Sequence, residues 1–194
     1  TSWIPFENVH PLEVGGSVLL DGVKIEAVKS VHGPIVVPIF CFKKKQYPGP
    51  GERTGLGSMG FKVTIDGKTI VNLGDSLLQE EWEGLNPNVL ILPIGGAGNN
   101  IWTMDVSDAL QAVKLISPEI VIPCHYNASF FWIKNINPAD DSHFKREVEK
   151  MGMRCHIMKY GDEIELVYTH DDNMTVGAIN ALKAAGYTAD KRPF

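Results

Sequence analysis

Three short stretches each set a metal-capable side chain directly after an apolar run: Val31-His32-Gly33, Leu73-Gly74-Asp75-Ser76 and Pro123-Cys124-His125-Tyr126-Asn127. A strand that ends in a tight turn holds such residues rigidly at a sheet edge, which is where a scaffold presents chemistry. Two imidazoles and one carboxylate suit zinc, manganese or iron, and a carboxylate has enough lone pairs to bridge two cations. Taken singly, a His before Gly and a Gly-Asp pair are also ordinary turn dipeptides, so no one stretch is specific. The remaining histidines, His10, His143, His156 and His170, read as structural or solvent-exposed. A Gly-rich stretch, residues 95–100, follows a strand but has neither the GxGxxG order nor a Walker lysine, so it is read as a site-lining loop rather than a nucleotide cradle. Asn99 and Asn100 in that loop, and Tyr126 beside His125, are the candidate substrate-lining residues.

The elements that must position these residues follow from pattern. Apolar alternation broken by Asp21-Gly22 predicts a hairpin over residues 17–28, and the same grammar around Asp66-Gly67 predicts another over residues 60–73. Residues 34–42 read as an apolar strand or a lining loop, and residues 43–58, rich in Gly and Pro, as a surface loop. A strand at 89–92, a helix from 105 to 116 capped by Thr103 or Asp105, and a strand at 120–123 predict a parallel crossover. A second helix is expected over 138–151 with Gly152 as its stop, then strands near 154–158 and 163–167, then an amphipathic helix over 175–185.

At 194 residues, 44% of them hydrophobic and 21% charged, the chain has the length and composition for one packed core, and one domain over 1–194 is expected, with 170–194 as a helical extension. A net charge of -5, with Lys43, Lys44 and Lys45 the only concentrated basic run, argues against nucleic acid as a partner. No apolar run approaches the length of a membrane span and no signal sequence is evident, so a cytoplasmic location is expected. The odd number of cysteines, Cys41, Cys124 and Cys155, fits neither a disulfide framework nor a zinc knuckle, and all three read as small buried residues. Thr1 is not a natural start, so the chain is expected to begin inside a longer gene product.

Read in order, the three stretches join Val14-Gly15-Gly16-Ser17, Gly60-Phe61, Ile65-Asp66-Gly67-Lys68-Thr69-Ile70, Leu92-Pro93-Ile94-Gly95-Gly96, Met104-Asp105-Val106, Asp108-Ala109 and Pro118 in one series. That series resembles the metal-dependent hydrolases of the metallo-β-lactamase superfamily that lie near the ascorbate-6-phosphate lactonases, over about residues 9–166. The resemblance implies an α/β (α+β) fold, an αββα sandwich incomplete on its N-terminal side. It implies two divalent metal ions, zinc in the first instance, with His32 on one, His125 on the other and Asp75 on both. Asp75 and His125 are then the catalytic pair, acting through an activated water on a lactone, ester, amide or phosphodiester of a small molecule. The family's His-x-His-x-Asp-His cluster does not occur in these residues, and three ligands cannot fill two metal sites. The resemblance therefore implies a missing N-terminal segment or a partner chain, with a second copy of the chain as another cover for the apolar edge of an incomplete sandwich. The alternative function is a non-catalytic binding or scaffolding subunit of the same fold.

Overall fold

Two Asp-Gly pairs turn the chain where a β-hairpin needs two successive left-handed residues: Asp21 and Gly22 have φ of 48° and 85°, Asp66 and Gly67 48° and 74°. The first turn joins β1 (Ser17–Leu20) to β2 (Val23–Lys29) and the second joins β5 (Met59–Ile65) to β6 (Lys68–Asn72). The computed structural model describes residues 11–33, 58–96, 102–128, 135–159 and 161–162, together with the backbone of 35–39 and 42–46. The sequence expectations for 163–167 and 175–185, Asn99, Asn100, Cys41, His10 and His170 lie outside the described residues.

Between the hairpins, β3 (Ile35–Ile39) pairs antiparallel with β4 (Phe42–Gln46) in a separate two-stranded sheet. The loop expected from residue 43 onward is therefore corrected over 43–46. Three successive lysines hide the period-2 signal of a strand, and register with β3 is what defines one here. The crossover is as expected: β7 (Val89–Pro93), α1 (Val106–Ile116) and β8 (Ile120–Cys124), with β7 and β8 parallel. Asp105, not Thr103, caps α1, its carboxylate accepting from the Asp108 N–H, and Ser117 ends the helix in a left-handed conformation. Helix α2 (Asp141–Lys150) starts three residues later than expected because Asp140 is its cap, and Gly152, at φ 85°, follows its end. The strand expected over 154–158 is shorter, β9 (Arg154–Cys155), although the His156 N–H still bonds to the Val121 carbonyl.

The main sheet has the order β1-β2-β5-β6-β7-β8-β9. Strands β6 to β9 are mutually parallel, β5 is antiparallel to β6, and β2 is antiparallel to β5. Hence β2, β6, β7 and β8 run the same way, and their C-terminal ends share one edge. One face of this sheet carries Val71, Leu90, Leu92, Val121 and Cys155 against Ala109, Val113 and Ile116 of α1 and Phe144 and Val148 of α2. Trp82, fully buried, closes this layer and donates from Nε1 to the Lys29 carbonyl at 2.8 Å, tying a 3-10 turn (Glu80–Trp82) to the end of β2. Leu19 and Leu20 on the edge strand β1 are exposed. No helix among the described residues is long and apolar enough to cross a membrane. The chain divides into two compact units, Thr1–Ile157, which holds all these elements, and Met158–Phe194, of which only the turn that the Asp162 carboxylate makes with the Lys159 N–H is described.

Candidate metal centre

Each candidate ligand stands just past the C-terminal end of one of the co-directional strands: His32 after β2, Asp75 after β6 and His125 after β8. The crevice at the C-terminal ends of such strands is where open α/β sheets bind ligands. Gly74, at φ 61°, turns the chain after β6, its N–H bonded to the Asn72 Oδ1 at 2.9 Å. His125 and Asn127 also lie in the left-handed region, at φ 51° and 52°. For a residue as bulky as His this conformation costs about 1–2 kcal/mol and persists only where the surroundings hold it.

The surroundings are specific. The Asn127 side chain accepts from the Ala139 N–H at 3.1 Å and from Asn135 at 2.9 Å, and donates to the Ala139 carbonyl at 3.0 Å. From across the loop, Asn137 accepts the Asn127 N–H on its carbonyl and the Ala128 N–H on its side chain, both at 2.8 Å. Gly95 lies against the same turn: a Cβ there would run into the His125 carbonyl and come within 2.9 Å of the Tyr126 Cα and the Asn137 carbonyl.

Asp75 and His125 meet. Nδ1 of His125 lies 3.4 Å from Oδ1 of Asp75, and both side chains reach solvent, at 43% and 31% exposure. Two donors on a tetrahedral cation with bonds of 2.0–2.1 Å stand about 3.3–3.4 Å apart, so this spacing matches one edge of a zinc site. A direct hydrogen bond would be shorter. His32 is prepared differently. Its Nδ1 lies 2.7 Å from the Gly33 carbonyl, and because a carbonyl only accepts, Nδ1 is the protonated nitrogen, which in the neutral ring leaves the Nε2 lone pair for a ligand. Among the described residues no three His, Cys, Asp or Glu side chains form a group that could hold a metal ion, so His32 is not drawn into the Asp75–His125 pair.

The other candidates are placed otherwise. Tyr126 packs on the hydrophobic core, and burial with the nearby Asp141 charge pushes its phenol up to about 12, so it stays a protonated donor at neutral pH. Burial, then the Asp75 charge, pushes the Cys124 thiol up to about 12, which keeps it neutral beside His125. His143 and His156 are exposed, in line with their reading as surface residues.

Sequence reasoning missed a buried polar lattice behind the turns. Ser76 is fully buried and accepts the Val31 N–H on Oγ at 2.9 Å, while the Leu77 N–H returns to the Val31 carbonyl at 2.8 Å. The Thr103 hydroxyl takes the Ser76 N–H at 3.1 Å and gives to its carbonyl at 3.0 Å. Ser30 donates to the Leu73 carbonyl at 2.8 Å. The signal that could have found part of this lattice is a Ser beside two of the candidate turns, Ser30 before His32 and Ser76 after Asp75.

Comparison with known proteins agrees with this architecture. Residues 5–125 match the model of a family described as a beta-lactamase superfamily domain. A metal-dependent hydrolase of Nanoarchaeum equitans is 33% identical over 159 residues, 80% of this chain and 64% of that protein. One from Pelotomaculum thermopropionicum is 36% identical over 159 residues, 81% of this chain and 63% of that protein. The chain thus spans just under two thirds of the length of these relatives. Among solved structures, a metallo hydrolase from the archaeon Ignicoccus hospitalis superposes with a TM-score of 0.56 at 28% identity, covering 79% of this chain and 58% of that one.

Proposed function

This chain belongs to the beta-lactamase superfamily, and we propose that it carries part of the metal centre of a hydrolase acting on a small molecule. The carrying observation is the Asp75–His125 pair, 3.4 Å apart at the C-terminal edge of a sheet whose co-directional strands also end at His32. In this reading His32, Asp75 and His125 would contribute to holding two divalent cations, zinc in the first instance, His32 serving one, His125 the other and Asp75 both. Bound cations supply Lewis acidity, which polarises the scissile carbonyl or phosphoryl group and makes water a nucleophile at neutral pH. The protein's share is positioning: the turn at His125 sets the imidazole 3.4 Å from the Asp75 carboxylate, and the Gly33 carbonyl fixes the tautomer of His32. The substrate bond is a lactone, ester, amide or phosphodiester.

Three ligands are too few for two cations, so this reading draws the rest from a preceding segment of the same protein or from a partner chain. A cytoplasmic location and a second copy of the chain as partner belong to the same proposal. A competing reading is a non-catalytic binding or scaffolding subunit of the same fold, favoured by the lack of a His-x-His-x-Asp-His cluster in these residues. Intact mass and metal content of the protein purified from its natural gene separate the two. The hydrolase reading expects about two transition-metal ions per chain, lost in Asp75→Ala together with at least about a hundredfold of ester or phosphodiester hydrolysis. Full activity in Asp75→Ala, or a metal-free protein that is stable, sinks it.

A further inference from the structure

We propose that Trp102 is the specificity-determining residue of this site, presenting its indole to a planar, apolar group of the substrate next to the bond that is cut; the inference rests on the hydrolase reading above. The run from Trp102 to Met104 is a junction bonded directly to the His32 and Asp75 turns and, through Gly96, to the segment that packs on the His125 turn. The Trp102 carbonyl accepts the Gly33 N–H at 2.7 Å, beside His32. Thr103 is bonded twice to Ser76, beside Asp75, and the Met104 N–H adds a bond to the Ser76 carbonyl at 2.9 Å. The Met104 carbonyl accepts the Gly96 N–H at 2.8 Å, and the neighbouring Gly95 lies against the His125 turn.

Within this junction the side chains divide sharply. Thr103 and Met104 are buried, at 1% and 0% exposure, whereas Trp102 keeps 43% of its surface in solvent. The bond that Trp102 makes to Gly33 uses only its main chain, so any residue could serve the lattice there. A single exposed apolar residue is commonplace on a protein surface. Trp102 differs in its place: its main chain is bonded to the His32 turn and the next residue to the Asp75 turn, which sets it beside the candidate centre. Indole suits such a contact, because it is rigid, with two side-chain torsions, and offers a wide apolar face with one N–H donor at its rim. The substrate class is thereby narrowed to esters, amides or phosphodiesters carrying an aromatic or similarly flat apolar group.

The test uses the zinc-loaded full-length protein and two non-hydrolysable probes, phenylphosphonate and methylphosphonate, with affinities measured by calorimetry. Aromatic contacts of this kind contribute about twofold to tenfold in affinity. Trp102→Ala is expected to weaken phenylphosphonate by that factor and leave methylphosphonate unchanged, Trp102→Phe to retain most of the preference, and Leu19→Ala, an exposed apolar residue of the edge strand, to change neither. Equal weakening of both probes, or a wild-type protein that does not prefer the phenyl probe, overturns the assignment of Trp102 while leaving the metal reading intact. Failure of both probes to bind the wild-type protein overturns the two together.

Discussion

A single methyl group at Gly95 tests whether the His125 turn is held by the packing around it. The three atoms that a Cβ there would meet first, the His125 carbonyl oxygen, the Tyr126 Cα and the Asn137 carbonyl oxygen, are all backbone. None can rotate aside, so the turn itself must retreat by roughly an ångström to restore van der Waals separation. Overpacking a fixed site costs about 1–3 kcal/mol, and the backbone-only contacts, with His125 already in a strained left-handed conformation, put Gly95→Ala at the upper end. For a protein of this size each kcal/mol lowers Tm by about 2–4 °C, so a fall of about 6–12 °C is expected by calorimetry. Because the movement carries the His125 ring away from Asp75, zinc affinity should fall by about 10- to 100-fold, as when a supporting group of a metal site is lost. The control is Gly67→Ala, at φ 74° in a turn with nothing within 4 Å. It strains only the local backbone, costs about 1 kcal/mol, and should leave zinc affinity unchanged. If Gly95→Ala melts within about 2 °C of the wild type, or no lower than Gly67→Ala, the reasoning that packing fixes this turn is wrong.

Two further expectations concern the loop's side-chain hydrogen bonds and a buried thiol. Asn127→Ala removes three side-chain hydrogen bonds at the base of the loop and leaves a non-glycine residue at φ 52°; a loss of about 2 kcal/mol in denaturant unfolding is expected, of which Asn127→Gly, relieving only the backbone strain, recovers about half. Full recovery by Gly would show that the hydrogen bonds contribute nothing. Burial pushes the Cys155 thiol up to about 11, although Lys145 beside it acts the other way, and the residue is 3% exposed. Since the folded value lies above the unfolded one, its contribution to stability is whole below about pH 8.5 and is lost as the pH rises toward 11. The stability difference between wild type and Cys155→Ala should change across that window and stay constant below it; at about pH 8 peptide mapping should show Cys155 alkylated about a hundredfold more slowly in the folded protein than when unfolded. A flat difference, or rapid labelling in the folded state, contradicts the burial argument.

The parts of this molecule that sequence reveals are those whose cause is local. Asp21-Gly22 and Asp66-Gly67 each supply two left-handed residues in a row, so both hairpins are written in dipeptides. The crossover from β7 through α1 to β8 is written in a change of hydrophobic period, from short apolar runs to helical spacing. Strand β4 escapes because Lys43, Lys44 and Lys45 carry no alternation, and its only cause is the partner strand, which is a non-local fact. Helix α2 is mistimed for a smaller reason: Asp140 competes successfully with Pro138 for the first turn by capping the His143 N–H.

The site divides along the same line. His32, Asp75 and His125 are legible because their residue types and strand-end positions carry the signal, yet what brings Asp75 and His125 to 3.4 Å is the direction of β6 and β8 on either side of β7. The lattice behind them is invisible for a further reason. Val31, Ser76, Thr103 and Met104 act largely through main-chain groups, or through hydroxyls that would look the same in any loop. Buried polar groups of this kind are costly unless every one is paired, and pairing them fixes one geometry. That places the precision of the candidate centre in hydrogen bonds between main-chain groups and buried hydroxyls of turns distant in sequence, such as Val31 with Ser76 and Ser76 with Thr103. It follows that replacing His32, Asp75 or His125 removes a candidate donor and leaves its turn standing, whereas crowding the lattice, as at Gly95, moves a side chain that is still present.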